Sequence, residues 1–199
     1  MFTGIISHTG TFCCYAKGKQ QIIIDSQEAA RETVIGGSLS VNGVCLSLVS
    51  KTGSRLTFDL SRETSERSTL GRLQAREILN LESPLTLSSP LSGHMVTGHI
   101  DFTGKILILK KTQNGKRLGI TYPPEQRPYI IPKGSVAVDG ISLTVAGLTT
   151  DCFEVELIPI TLKTTNINAR KRGDLVNIEC DMIGKYVYNY ISNIRKPLS

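Results

Sequence analysis

The 199-residue sequence has no tryptophan, and aromatic residues make up only 6% of it. Few rings lie near any basic run, so the combination of stacking and positive charge that marks a single-strand nucleic-acid binder is missing. Net charge is +6, but the 23 lysines and arginines are scattered. Their one cluster, Arg170-Lys171-Arg172, precedes Gly173-Asp174 and reads as a solvated turn. No nucleic-acid partner is expected. No apolar tract reaches the ~18 residues that a membrane-spanning helix needs. No basic region followed by an apolar stretch opens the chain, so no secretory leader is expected. Cysteine is sparse and odd in number: Cys13, Cys14, Cys45, Cys152 and Cys180. None has metal-ligand spacing, since Cys13 and Cys14 are adjacent and His8 lies five residues before them. Free thiols, no bound metal and a reducing, cytoplasmic location are expected. Phosphate-binding glycine loops, dinucleotide fingerprints, zinc-protease pairs and nucleophile elbows are all absent. By motif alone the sequence names no reaction.

What is present is a duplication. The opening MFTGIISHTG matches MVTGHIDFTG (95–104) at six of ten positions, with Ile5 replaced by His99. GSLSVNGVCLSL (37–48) matches GSVAVDGISLTV (134–145) at an offset of 97, which also carries Leu60–Leu70 onto Leu157–Ile167 and Ile78–Glu82 onto Leu175–Glu179. A constant register over so long a stretch, occurring twice only, indicates tandem homologous domains. They are placed at 1–87 and 90–184, joined by the serine- and proline-rich Ser83–His94.

Each copy reads as mostly strand. Leu39, Val41, Leu46 and Leu48 alternate with small polar residues, and Leu56–Leu60 and Phe153–Ile158 repeat the pattern. Asn42-Gly43 and Asp139-Gly140 are hairpin turns, because both residue types accept positive φ. Two short helices per copy are expected. In the first copy Asp25-Ser26-Gln27-Glu28 is a capping box opening a helix to Thr33, and a second helix starts near Ser61 or Arg62. The fold class is mainly β: two small Greek-key barrels in tandem and a C-terminal α-helix. In that helix, Ile183, Val187, Tyr190 and Ile194 are spaced 4, 3, 4, a heptad seam, and Pro197 stops it. The seam fits either packing on the chain's own barrel or pairing with other copies.

Histidine occurs only at positions 8, 94 and 99. His99 suits either structural hydrogen bonding or proton transfer near neutral pH. Cys45 and its counterpart Ser142 follow the hairpin turns, and Ser47 and Thr144 share their faces two residues on. These pairs read as buried strand residues or as polar groups at a barrel mouth or a pocket. Thr64 and Thr161, at strand-to-helix turns, either cap or face a ligand.

Together, MFTGII, VNGVCLSLV, FDLSRETSERSTL, GHMVTGHID, GSVAVDGISLTV, LIPITLKTTNI and VNIECD resemble the riboflavin synthase family of the α-subunit type over almost the whole chain, duplication included. The resemblance implies six strands in each barrel and a homotrimer assembled through the C-terminal helix (185–199). It implies dismutation of two 6,7-dimethyl-8-ribityllumazine molecules by four-carbon transfer, giving riboflavin and 5-amino-6-ribitylaminouracil, without metal or redox cofactor. The reacting pair would lie between the N-terminal barrel of one subunit and the C-terminal barrel of a neighbour. The first pocket would use Gly4, Ile5 and Ile6; Cys45, Leu46 and Ser47; and Asp59, Leu60, Ser61, Arg62, Glu63 and Thr64. The second would use Gly98, His99 and Ile100; Lys133; Ser142, Leu143 and Thr144; and Leu157, Ile158, Pro159, Ile160, Thr161 and Leu162. His99 and Cys45 are expected nearest the proton and nucleophile steps, with Ser142 and Thr144 as hydroxyl partners and Lys133 favouring negative charge on the ring. Ile160 departs from the family, which commonly carries His or Glu there. A non-catalytic lumazine or flavin carrier of the same fold is the alternative reading. Association with lumazine synthase is left open.

Overall fold

Asn42 and Gly43 adopt φ of 46° and 81°, and Asp139 and Gly140 adopt 45° and 80°. Successive positive φ values make the tight hairpin turn whose twist matches its flanking strands, and each pair sits between two strands of its half. The computed structural model describes residues 1–194. In the first half β1 (His8–Ala16), β2 (Gln21–Asp25), β3 (Ser38–Val41), β4 (Val44–Thr52), β5 (Arg55–Asp59) and β6 (Ile78–Glu82) close a barrel in the order β1-β2-β5-β4-β3-β6. In the second half β7 (Phe102–Thr112), β8 (Gly115–Thr121), β9 (Ser135–Val138), β10 (Ile141–Leu148), β11 (Cys152–Leu157) and β12 (Leu175–Cys180) close a second barrel with the same connectivity.

Alternation decides what each strand buries. Val44, Leu46 and Leu48 of β4 point into the first barrel while Cys45 and Ser47 point out. Ile141, Leu143 and Val145 of β10 point in, Ser142 and Thr144 out. Ile22, Ile24, Leu56 and Phe58 fill one interior and Ile106, Ile120, Phe153 and Ile178 the other, all fully buried. Each such side chain contributes about 1.5–3 kcal/mol. The polar pairs therefore lie on the outer walls of filled barrels.

Helix α1 (Gln27–Glu32) starts one residue later than expected. Ser26 is the cap and accepts from the Ala29 amide, so the third helical position is Ala29 and no glutamate returns the bond. Helix α2 (Arg62–Arg67) is capped by Ser61, which accepts from the Thr64 amide at 3.0 Å. Its counterpart α3 (Pro159–Thr164) falls at the offset of 97. The second half lacks its other expected helix: Pro124–Tyr129, aligned with α1, forms 3₁₀ turns, and Pro128 within it cannot donate to an α-helical ladder.

The halves meet through reciprocal bonds. Asn80 donates Nδ2–H to the Asp139 carbonyl, and Asn177 donates to the Asn42 carbonyl, both at 2.9 Å. Gly43 and Gly140 touch at the centre, where a Cβ on either would lie under 3.0 Å from the other's amide nitrogen. The final helix α4 (Met182–Ile194) rests on the second barrel through Lys185–Asp101 (2.6 Å) and an edge contact of Tyr188 with Tyr129. Ile183, Val187, Tyr190 and Ile194 remain exposed. Pro197 lies outside the described residues. Among the described residues no helix is long and apolar enough to cross a membrane.

Candidate functional site: exchanged opening segments

The segment before each barrel is clamped by the last strand of its own half. Glu82, ending β6, accepts from the amide and hydroxyl of Thr3 (2.6 and 2.7 Å) and from the Gly4 amide (3.0 Å). Glu179 in β12 does the same for Thr97 (2.7 Å to each group) and Gly98 (2.9 Å). Both carboxylates are buried. Burial pushes the Glu82 carboxyl up, and the donors from Thr3 and Gly4 pull against it.

The clamped segments then cross to the other half. The Cys45 amide donates to the Gly98 carbonyl (2.9 Å), and the Ser142 amide to the Gly4 carbonyl (2.7 Å). Ile100 packs on the first barrel's core and Ile6 on the second's. Gly98 and Gly4 have φ of 85° and 77°, and a Cβ on either would collide with the Cβ of Cys45 or Ser142. This corrects the expected grouping. Gly98, His99 and Ile100 belong with Cys45, and Gly4, Ile5 and Ile6 with Ser142. A repeat offset shows which residues correspond, not which half each segment leans on.

On the first barrel the result is a cavity of about 290 Å³ lined by Cys45, Glu63, Thr64, Ser68, His99 and Ile100 among others. His99 is exposed and Cys45 half-buried. Not every expected residue reaches this cavity. Leu46 and Leu60 are core residues. Ser47 is exposed on the outer wall. Asp59 accepts from Gln21 (2.7 Å), and Arg62 pairs with Glu66. Ser61 is spent on capping.

The second site has the same plan and different chemistry. Ser142 Oγ lies 2.7 Å from Nδ1 of His94. His94 is buried, its Nε2 has no partner, and burial holds its pKa below the ordinary histidine value. Leu143 and Leu157 are core residues, while Ile5, Ile158 and Ile160 are exposed. Thr144 and Pro159 are also exposed, Thr161 is half-buried, and Leu162 packs against the second barrel's core. Lys133 holds φ of 65° where the first half has Gly36 at 82°. A non-glycine residue in that region carries strain of about 1–2 kcal/mol. Among the described residues no three His, Cys, Asp or Glu side chains gather as a metal site. Glu82, Glu179, Ser68 and His94 had no expected role at the site. Glu82 and Glu179 end the repeated ILNLE and LVNIE and were findable there, whereas His94 lies just before the matched segment Met95–Gly104.

The lumazine binding domain family model matches residues 3–84 and 97–181, one match per half. Riboflavin synthase of Actinobacillus pleuropneumoniae is 37% identical over 199 residues, covering 99% of this chain and 92% of the relative. Riboflavin synthase of Bacillus subtilis (strain 168) is 36% identical, covering 96% and 90%. Among solved structures, LumP complexed with riboflavin superimposes with a TM-score of 0.84 at 21% identity, covering 90% of this chain and 99% of that one. At that identity the likeness is one of fold.

Proposed function

The chain belongs to the riboflavin synthase family of transferases, and we propose that it uses its two exchanged sites to hold two 6,7-dimethyl-8-ribityllumazine molecules in different roles. One loses a four-carbon unit to the other, giving riboflavin and 5-amino-6-ribitylaminouracil. The atoms of two substrates equal those of the two products, so no oxidant or reductant is consumed. The observation that carries this reading is the paired exchange itself. One plan is built twice, with Cys45 and His99 in one site and Ser142 and Ile5 in the other.

A proton must leave the C7 methyl of one ring, and a nucleophile must add to the other. His99 and Cys45 face the cavity where these steps are assigned. Ser142 and Thr144 supply hydroxyls at the second site, and Lys133 offers positive charge to an electron-rich ring. Juxtaposing two rings in a reactive pose is worth roughly 7–11 kcal/mol in well-aligned cases.

The reading extends to assembly. The exposed isoleucines at the second site and the open seam of α4 support a homotrimer in which the second site of one subunit covers the first site of the next. The free thiols fit a cytoplasmic enzyme. Association with lumazine synthase would have to use another surface. The test is riboflavin fluorescence from purified protein given the lumazine, measured across protein concentration alongside sedimentation. Specific activity should fall on dilution as the assembly dissociates. Absence of riboflavin at every concentration would reject catalysis in favour of a carrier, and full activity from monomers would reject the shared site.

A further inference from the structure

Away from both sites, a groove of about 600 Å³ runs between the halves. Its walls are the stretches 69–78 and 166–175, which the repeat makes equivalent. Four cations line it, Arg72, Arg76, Arg170 and Lys171, against the carboxylates of Glu77 and Asp174. Arg170 is consumed by Asp139 and Glu77, at 2.8 Å each. Among the described residues Arg72, Arg76 and Lys171 have no ion-pair partner.

Arg76 is the unusual one. It holds φ of 68° where its repeat counterpart is Gly173 at 99°. Glycine adopts that region freely, and an arginine there is strained. Strain of this kind is retained where the side chain has a use. One more donor awaits a partner: Thr69 Oγ1, on the groove wall, is buried without one. Ile78, 48% exposed, and Leu175 add an apolar wall.

We propose that this groove binds a phosphomonoester with an apolar ring. The dianion is held by Arg72, Arg76 and Lys171, and the ring lies against Ile78 and Leu175. Guanidinium groups match phosphate oxygens in bidentate geometry. A cleft between halves of this volume fits a small organic phosphate better than an inorganic ion. Ser68, on the wall of the first substrate cavity, is the neighbour of Thr69 on the groove wall, so the two sites share a backbone step.

The test is calorimetric titration of the whole protein with phenyl phosphate at low ionic strength, with inorganic phosphate alongside. Phenyl phosphate should bind once per chain, more tightly than inorganic phosphate, and saturating riboflavin should not displace it. Arg76→Gly, which installs the other half's residue and relieves the strain, should raise or keep the melting temperature and weaken binding by about tenfold. Lys110→Gln/Lys111→Gln, outside the groove, should leave binding intact. The proposal is overturned by no binding, by displacement with riboflavin, by equal affinity in Arg76→Gly, or by equal weakening in the Lys110/Lys111 variant.

Discussion

The hydroxyl of Ser142 lies 2.7 Å from the imidazole of His94, and the equivalent thiol, that of Cys45, has no hydrogen-bond partner among the described residues. The two sites thus differ in how firmly their central polar atom is held. Burial keeps His94 neutral. Its folded pKa lies below the unfolded value of about 6.5, so its stabilising contribution is complete above that pH and is lost as pH falls below it. Wild-type protein should lose more melting temperature than His94→Gln between neutral pH and about pH 5.5. Parallel slopes in melts across that range would show that His94 is not buried neutral.

His99 stands on the other side of this asymmetry. His99→Gln should lower kcat by about a hundredfold, the lower end of what a positioned acid–base group contributes. Cys45→Ser keeps a small polar group at the cavity and should cost less than His99→Gln. Steady-state riboflavin formation checks both. Near-normal kcat in both variants would transfer the rate enhancement to juxtaposition of the rings.

The exchange of opening segments rests on two glycines. Gly98→Ala meets both a left-handed backbone and the Cys45 side chain, and should cost about 2–4 kcal/mol together with the first site. Gly173→Ala has the same backbone problem but open space around it, and should cost about 1–2 kcal/mol without loss of turnover. Denaturant titrations compare them, and equal costs would mean the close approach at Gly98 is soft.

Local rules made much of this fold readable. Asn42-Gly43 fixes a turn because few residues accept two positive φ values, and Ser61 marks a helix start because it satisfies a free amide. The period of two in β4 and β10 sorted Cys45 and Ser142 from the core. The crossing of Gly4 and Gly98 was not readable, because it is a contact between halves that are alike in sequence. Nor was the groove at Arg76, whose meaning depends on a backbone angle. The second half's missing α-helix is marked by Pro128, which has no amide proton where the first half has Arg31.

Asp139 is fully buried, and its Oδ2 accepts from Arg170 Nη2 at 2.8 Å; the first half has Asn42 and Leu73 at these positions. Removing one partner strands the other. Arg170→Leu should cost about 3–5 kcal/mol. Burial already pushes the Asp139 carboxyl up, so that variant should lose further stability as pH rises through the carboxylate range and Asp139 ionises without a partner. Asp139→Asn/Arg170→Leu reproduces the first half's pair and should recover most of the loss. A double-mutant cycle by denaturant melts measures the coupling, and additive costs would show that the ion pair is not a unit.

Helix α4 separates stability from assembly. Val187 and Tyr190 are 52% and 70% exposed, so replacing them removes little from the barrel beneath. Lys185 and Tyr188, on the face that touches the second barrel, are left intact. Val187→Asp/Tyr190→Asp should therefore change the melting temperature of the isolated chain by little, in line with surface substitutions within about 0.5 kcal/mol. If the seam joins subunits, the same variant should sediment as a monomer and lose riboflavin formation, because a site shared between chains is left half built. A monomer that retains full turnover would place both ring-binding sites within one chain. An assembled variant would move the interface off α4, to other exposed apolar residues such as Ile5.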